Sequence, residues 1–219
     1  MESDTPFRDS LLKWGRSGSF YPILLPDPES NDALRAIQAQ IAKQFPAATL
    51  SKDLHSTFFY LKPAKFYEKL LEIKPGYDEA QLYLELSTTM SNICATTGMY
   101  PLSTDVLGLD RYGPNDEVIA LKLADMGIRE DARKILRVNL GYSGFGKKIL
   151  DILAEEPAYQ WVFGPSDMHI SLASGVKEEL DETKITMPKT ITFDGIGDGS
   201  VQAPGDTVDE RYQWYLMGV

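Results

Sequence analysis

Two spacings of apolar residues alternate along this chain, one of strand type and one of helix type. Residues 20–25 form a short apolar run stopped by Pro26 and Pro28, which predicts a strand. Leu34, Ile37 and Ile41 then fall at helical spacing and predict a helix over residues 32–45, with Ser30 or Asn31 as its cap. A second strand is expected over residues 53–61. Past Pro63 come helices over 64–73 and 77–96, separated by Lys74-Pro75-Gly76. Extended segments at 104–110 and 117–123 flank the turn Tyr112-Gly113-Pro114-Asn115-Asp116. Residues 128–156 read as helix, broken at Gly141-Tyr142-Ser143-Gly144-Phe145-Gly146. Further strands are expected over 167–173, over 184–193 and from residue 211 to the C-terminus.

The larger pattern repeats: helix then strand, an intervening set of elements, then helix and strand again. This order predicts an α+β or α/β fold with mixed sheets, α+β being the reading adopted, as two related lobes over residues 20–219 preceded by an N-terminal extension of residues 1–19. Asp194-Gly195-Ile196-Gly197-Asp198-Gly199 reads as a hairpin loop. It lacks the spaced acidic ligands and closing Glu of a calcium loop, and no helix follows it as dinucleotide binding demands.

The length, 219 residues with 43% hydrophobic and 25% charged positions, allows a sizeable core. The net charge of −10 argues against sequence-independent binding to duplex nucleic acid or to anionic membranes. A small anionic ligand remains compatible with it where lysines line one pocket, and Lys62, Lys65, Lys147 and Lys148 are the candidates. No apolar run reaches membrane-spanning length, and the first residues lack a secretory pattern. Cys94 is the single cysteine and lies in an apolar helical pattern, as a core residue would. No internal disulfide can form, which fits a cytoplasmic location.

The candidate chemistry comes from the chain's two histidines. Each opens the same kind of phrase, Leu54-His55-Ser56-Thr57-Phe58 and Met168-His169-Ile170-Ser171-Leu172. Residues two apart share one face of a strand, so His55 projects with Thr57 and His169 with Ser171. Imidazole takes up and releases protons near neutral pH, with an ordinary pKa of about 6.5. Two imidazoles around one phosphate can serve as base and acid, while two hydroxyls donate to its non-bridging oxygens. That scheme needs neither metal nor cofactor. Two histidines and one cysteine cannot furnish an ordinary zinc site without carboxylates. No phosphate-binding loop, nucleophile elbow or kinase signature occurs. Aromatic residues that could stack on a nucleobase are Phe59, Tyr142, Phe145 and Trp214, with Tyr142 and Phe145 inside the glycine-rich segment that could form a lid.

The two His-x-(Ser/Thr) motifs and their surroundings resemble the 2H phosphoesterase superfamily, which includes the LigT-like proteins and cyclic phosphodiesterases. The resemblance runs from about residue 20 onward through an apolar strand, an amphipathic helix, the first motif, paired strands, another helix and the second motif. It implies a two-lobed fold with mixed or antiparallel sheets, flanking helices and a central cleft. It further implies metal-independent phosphodiester cleavage, with His55 and His169 as the acid/base pair and Thr57 and Ser171 holding the phosphate. The chain departs in carrying Ser at the second hydroxyl position and in the long spacing between motifs, which leaves the substrate open.

Two branches of the superfamily compete. One acts on 2′,3′-cyclic phosphates or RNA ends. The other comprises phage anti-CBASS nucleases, which cut cyclic oligonucleotide immune signals in the host cytoplasm. An acidic chain without a basic stripe fits small nucleotides better than long RNA. Glu210-Arg211-Tyr212-Gln213-Trp214 resembles the acidic-plus-Trp ending of the phage group. Two other readings stand beside catalysis: a nucleotide-sequestering protein without turnover, and an acidic interaction protein whose histidines are structural and far apart.

Overall fold

The computed structural model describes residues 5–17, 22–57, 62–97, 101–113, 115–142 and 168–198. In chain order these form α1 (Thr5–Ser17), β1 (Pro22–Pro26), α2 (Pro28–Gln44), β2 (Thr49–Leu50), β3 (Ser56–Thr57), α3 (Pro63–Ile73) and α4 (Glu79–Thr97). They continue with β4 (Leu102–Tyr112), β5 (Val118–Leu123), α5 (Ile128–Tyr142), β6 (Met168–Ser174), a 3-10 turn (Glu182–Lys184) and β7 (Thr190–Asp198). The fold is α+β, as expected.

All strand pairs are antiparallel, in the order β2-β6-β3-β1-β7-β4-β5, and β5 pairs back to β6, which closes a ring. β2 and β3 both lie along one edge of β6 and are two pieces of one broken strand. The ring pairing maps onto itself when β1, β3 and β4 exchange with β5, β6 and β7. Each half is a strand, a helix, a motif strand and a closing strand. β4 pairs with β7 only through residues 102–105, after which β4 follows β5 and β7 follows β1. Among the described residues the far ends of β4 and β7 are therefore not paired with each other.

One face of this sheet packs on the helices. Leu24, Ile119, Leu121, Met168, Ile170, Leu172 and Ile196 share a buried cluster with Leu34, Ile37 and Ile41 of α2, Phe66 and Leu70 of α3, Leu82 and Leu86 of α4, and Leu136 and Leu140 of α5. Ile128, Ala132, Leu136 and Leu140 recur every fourth residue, giving α5 a single apolar stripe. Burying each large apolar side chain contributes roughly 1.5–3 kcal/mol, which makes this helix-backed face the main source of cohesion. Cys94 belongs to the same cluster, as expected.

Several boundaries differ from the sequence reading. α2 begins at Pro28, and its cap is Asp27, whose Oδ1 accepts from the Ser30 amide at 2.7 Å. Pro28 is thus a helix start and not a stop, since proline suits the first helical turn, where its missing N–H is no loss. The stretch 184–193 is strand only from Thr190, and β7 continues through Asp198, so Asp194 to Asp198 is strand and not a hairpin loop. Its glycines serve close packing: a Cβ on Gly195 or Gly197 would sit 3.3 Å from the side chain of Leu25 or Ile23.

Inside the N-terminal extension, α1 docks on α4. A Cβ on Gly15 would lie 2.2 Å from the Tyr83 ring, so only glycine permits this approach. Arg16 donates to both carboxylate oxygens of Glu79 (2.8 and 2.6 Å), and Arg8 pairs with Asp78 at 2.7 Å. The arginine holds the Glu79 carboxyl below its ordinary pKa, and the Tyr83 hydroxyl, donating at 2.9 Å, adds to the effect. Among the described residues no helix is long and apolar enough to cross a membrane.

Candidate functional site

The two motif strands are neighbours. β3 pairs with β6 through Ser56 opposite Ile170, and both of these residues are fully buried on the helix-backed face. Continuing that antiparallel register by one residue each way sets His55 beside Ser171 and Thr57 beside His169. All four side chains therefore share the opposite face, the inner wall of the ring, where each is half-buried. Directly opposite residues have Cβ atoms about 4.5–5.5 Å apart and diagonal ones lie somewhat further, so the two imidazoles stand on one diagonal of the shared face. Two separate sheets facing each other are not what the described strands form: both motifs lie side by side in one continuous ring.

Strand alternation accounts for this face on β6. Met168, Ile170 and Leu172 point into the core, while His169 and Ser171 alternate with them. On β3 the alternation needs help. From Leu50, opposite Ala173, to Ser56, opposite Ile170, the broken strand advances six residues while β6 advances three. The three surplus residues form a bulge. An odd surplus inverts the faces, and here it turns His55 and Thr57 inward and Leu54 into the core.

The cross-strand row through His169 adds two residues that the sequence pattern does not single out. Lys122 on β5 stands directly opposite His169, and its Nζ lies 3.6 Å from Asp110 Oδ2. Tyr112, from the end of β4, reaches across β5 to stack on the His169 ring, with centroids 4.3 Å apart and planes at 15°. Ala120, the β5 residue opposite Ser171, is fully buried, and its small side chain leaves room for this crossing. Tyr112 is the last residue of β4 and not, as its neighbours Gly113 and Pro114 suggest, part of the turn. Lys122 could have been found as a lone cation inside the apolar run Val118 to Leu123. Its alternation partners are the small or apolar residues Val118 and Ala120.

None of the lysines considered from sequence belongs to the cross-strand row through His169 among the described residues. Lys62 precedes α3, Lys65 pairs with Glu68 at 2.8 Å on the surface of α3, and Lys147 and Lys148 fall outside. Phe59, Phe145 and Trp214 also lie outside the described residues. Tyr142 closes α5, and its side chain is not described. Among the described residues no group of three or more His, Cys, Asp or Glu side chains could hold a metal ion.

No protein-family model matches the chain, and no curated protein sequence does. Similar solved structures include TT0787 of Thermus thermophilus, 17% identical over 83% of this chain and 86% of that one, with a TM-score of 0.46. Another is Usb1 of Kluyveromyces marxianus with uridine monophosphate, 12% identical over 77% of this chain and 76% of that one, with a TM-score of 0.38.

Proposed function

We propose that the protein is a metal-independent phosphodiesterase of the 2H type, cleaving a phosphodiester in a small or cyclic nucleotide. The adjacency of the two motif strands, read from the pair Ser56 and Ile170, carries this assignment. It supports the reading because that register, continued by one residue each way, gives the two imidazoles and two hydroxyls one shared face. One imidazole removes the proton from the attacking water or neighbouring ribose hydroxyl as the new P–O bond forms. The other protonates the departing oxygen as the old bond breaks. Thr57 and Ser171 donate to the non-bridging oxygens, whose charge rises in the transition state. Lys122 supplies a positive group beside His169 in a chain of net charge −10, so a single anionic group can be held where a long polyanion would be repelled.

The alternative substrates, 2′,3′-cyclic phosphates and RNA ends, use the same four residues, and a cyclic oligonucleotide signal would make the protein anti-CBASS-like. A panel of cyclic dinucleotides, cyclic trinucleotides, 2′,3′-cyclic mononucleotides and short RNA, incubated with EDTA and read by mass spectrometry, separates them. Turnover of the small cyclic substrates that persists in EDTA is the expected result. Activity abolished by chelation would overturn the scheme. Tight binding with every ligand recovered intact would identify a sequestering protein instead.

A further inference from the structure

We infer that Gln38, with Arg35, is the positioning residue that aims His55, which deepens the catalytic reading above and rests on it. Gln38 is a helix residue, yet it is only 2% exposed, its amide turned into the sheet. Its Nε2 donates to two carbonyls at once, Ser51 at 2.9 Å and Leu172 at 2.7 Å. Those two carbonyls lie on opposite sides of the last ladder contact before the bulge, where the Ser51 amide itself donates to Leu172 at 2.9 Å. Gln38 thus clasps the broken strand to β6 at the point where the register is about to change. Its Oε1 accepts from Arg35 Nη1 at 2.9 Å, so the amide cannot flip without placing NH₂ against the guanidinium. Arg35 extends the clasp by donating to the carbonyl of Ser51, the last paired residue, at 2.9 Å and to that of Lys52, the first residue of the bulge.

The need for such a clasp follows from register. Carried on without a break, the β2 pairing would set Leu54 opposite His169 and turn His55 to the helix side with Met168. The bulge reverses this, and Lys52 and Asp53 at its crest are exposed. The α2 side chains fix where the bulge begins by holding the carbonyls of Ser51, Lys52 and Leu172. His169 lies on the stretch of β6 that pairs with β5 in steady register, from Ser171 opposite Ala120 to Met168 opposite Leu123, the one shift falling beyond it at Ile119.

The chain's having only two histidines makes a direct test simple. Long-range proton–nitrogen spectra of wild type, Gln38→Met and Arg35→Met are assigned with the two His→Ala variants, and kinetics are measured on the best substrate of the panel. Methionine keeps the length and apolar bulk of Gln38 and removes its donors. Expected are displaced or split His55 signals with His169 signals in place, and a kcat reduced by about 10–10²-fold with KM within about twofold. Arg35 lies on the exposed side of α2, so its variant tests the same point if Gln38→Met fails to fold, with a smaller change of the same kind. His55 signals unchanged in both variants, or both imidazoles moving together, would overturn the inference. A wild type inactive on every substrate with His55 still displaced by the substitutions would sink the catalytic reading and leave the positioning role standing.

Discussion

The two halves of the ring solve one problem by different means. In the second half, β6 runs unbroken for seven residues between two partners, and plain alternation delivers His169 and Ser171 to the inner wall. Its imidazole then gains a stacked tyrosine and a cross-strand lysine. In the first half, the motif strand follows a three-residue bulge, Ser56–Thr57 being its described part, and depends on side chains of α2. Under the exchange of halves, the position of Lys122 beside His169 corresponds to Leu25 beside His55. Equivalent chemical groups thus sit in unequal settings. The difference shows that pairing symmetry places the groups, while local contacts decide how firmly and beside which charge.

The largest effect tests whether the halves are chemically equal. His55→Ala and His169→Ala should each lower kcat by roughly 10²–10⁴-fold with circular dichroism unchanged. A loss confined to one of them would make the other histidine structural. Next in size, Thr57→Ala and Ser171→Ala should each cost on the order of 10²-fold in kcat, as removal of a donor to developing negative charge does. A change in KM alone would mark them as ground-state contacts.

The asymmetry itself is probed by Lys122→Met. Because Asp110 shares the ammonium, loss of this charge should raise KM by roughly 3–10-fold, less than a full charge-assisted hydrogen bond would give. An unchanged KM for every anionic substrate would remove Lys122 from the site. The smallest effect concerns α1, which has no counterpart among the described residues of the second half. Arg16 lowers the Glu79 pKa from its ordinary 4.5, so folding gains from the ionised form. That gain is complete above the ordinary value and is lost as pH falls through the lower folded one. Acid titration should release α1 before the sheet unfolds, and Glu79→Gln should cost less than about 1 kcal/mol at neutral pH in urea unfolding. A pH-independent α1 would contradict the pairing.

The helices over 64–73 and 77–96 were legible because their apolar spacing runs long enough to outweigh flanking signals. The second motif strand was equally plain, since its pattern is also its register. The first motif strand was not: a bulge between residues 50 and 56 inverts its faces, and the strand is held ahead of that bulge by Gln38, thirteen residues away from Ser51 in sequence. Lys122 and Tyr112 were missed for a related reason. Each becomes part of the wall only through cross-strand neighbours, and pairing of β5 with β6 cannot be read from either strand alone. Gly195 and Gly197 misled in the other direction, because glycine for close approach to Ile23 and Leu25 looks the same in sequence as glycine for a turn.

Kinetics of the His55→Ala/His169→Ala double variant beside the two single ones offer the most direct check on a shared site. If both rings act on one phosphodiester as a unit, the double variant loses about as much kcat as either single one. Losses that multiply, or a double variant that still turns over substrate at the wild-type rate, would show that the two imidazoles do not work together.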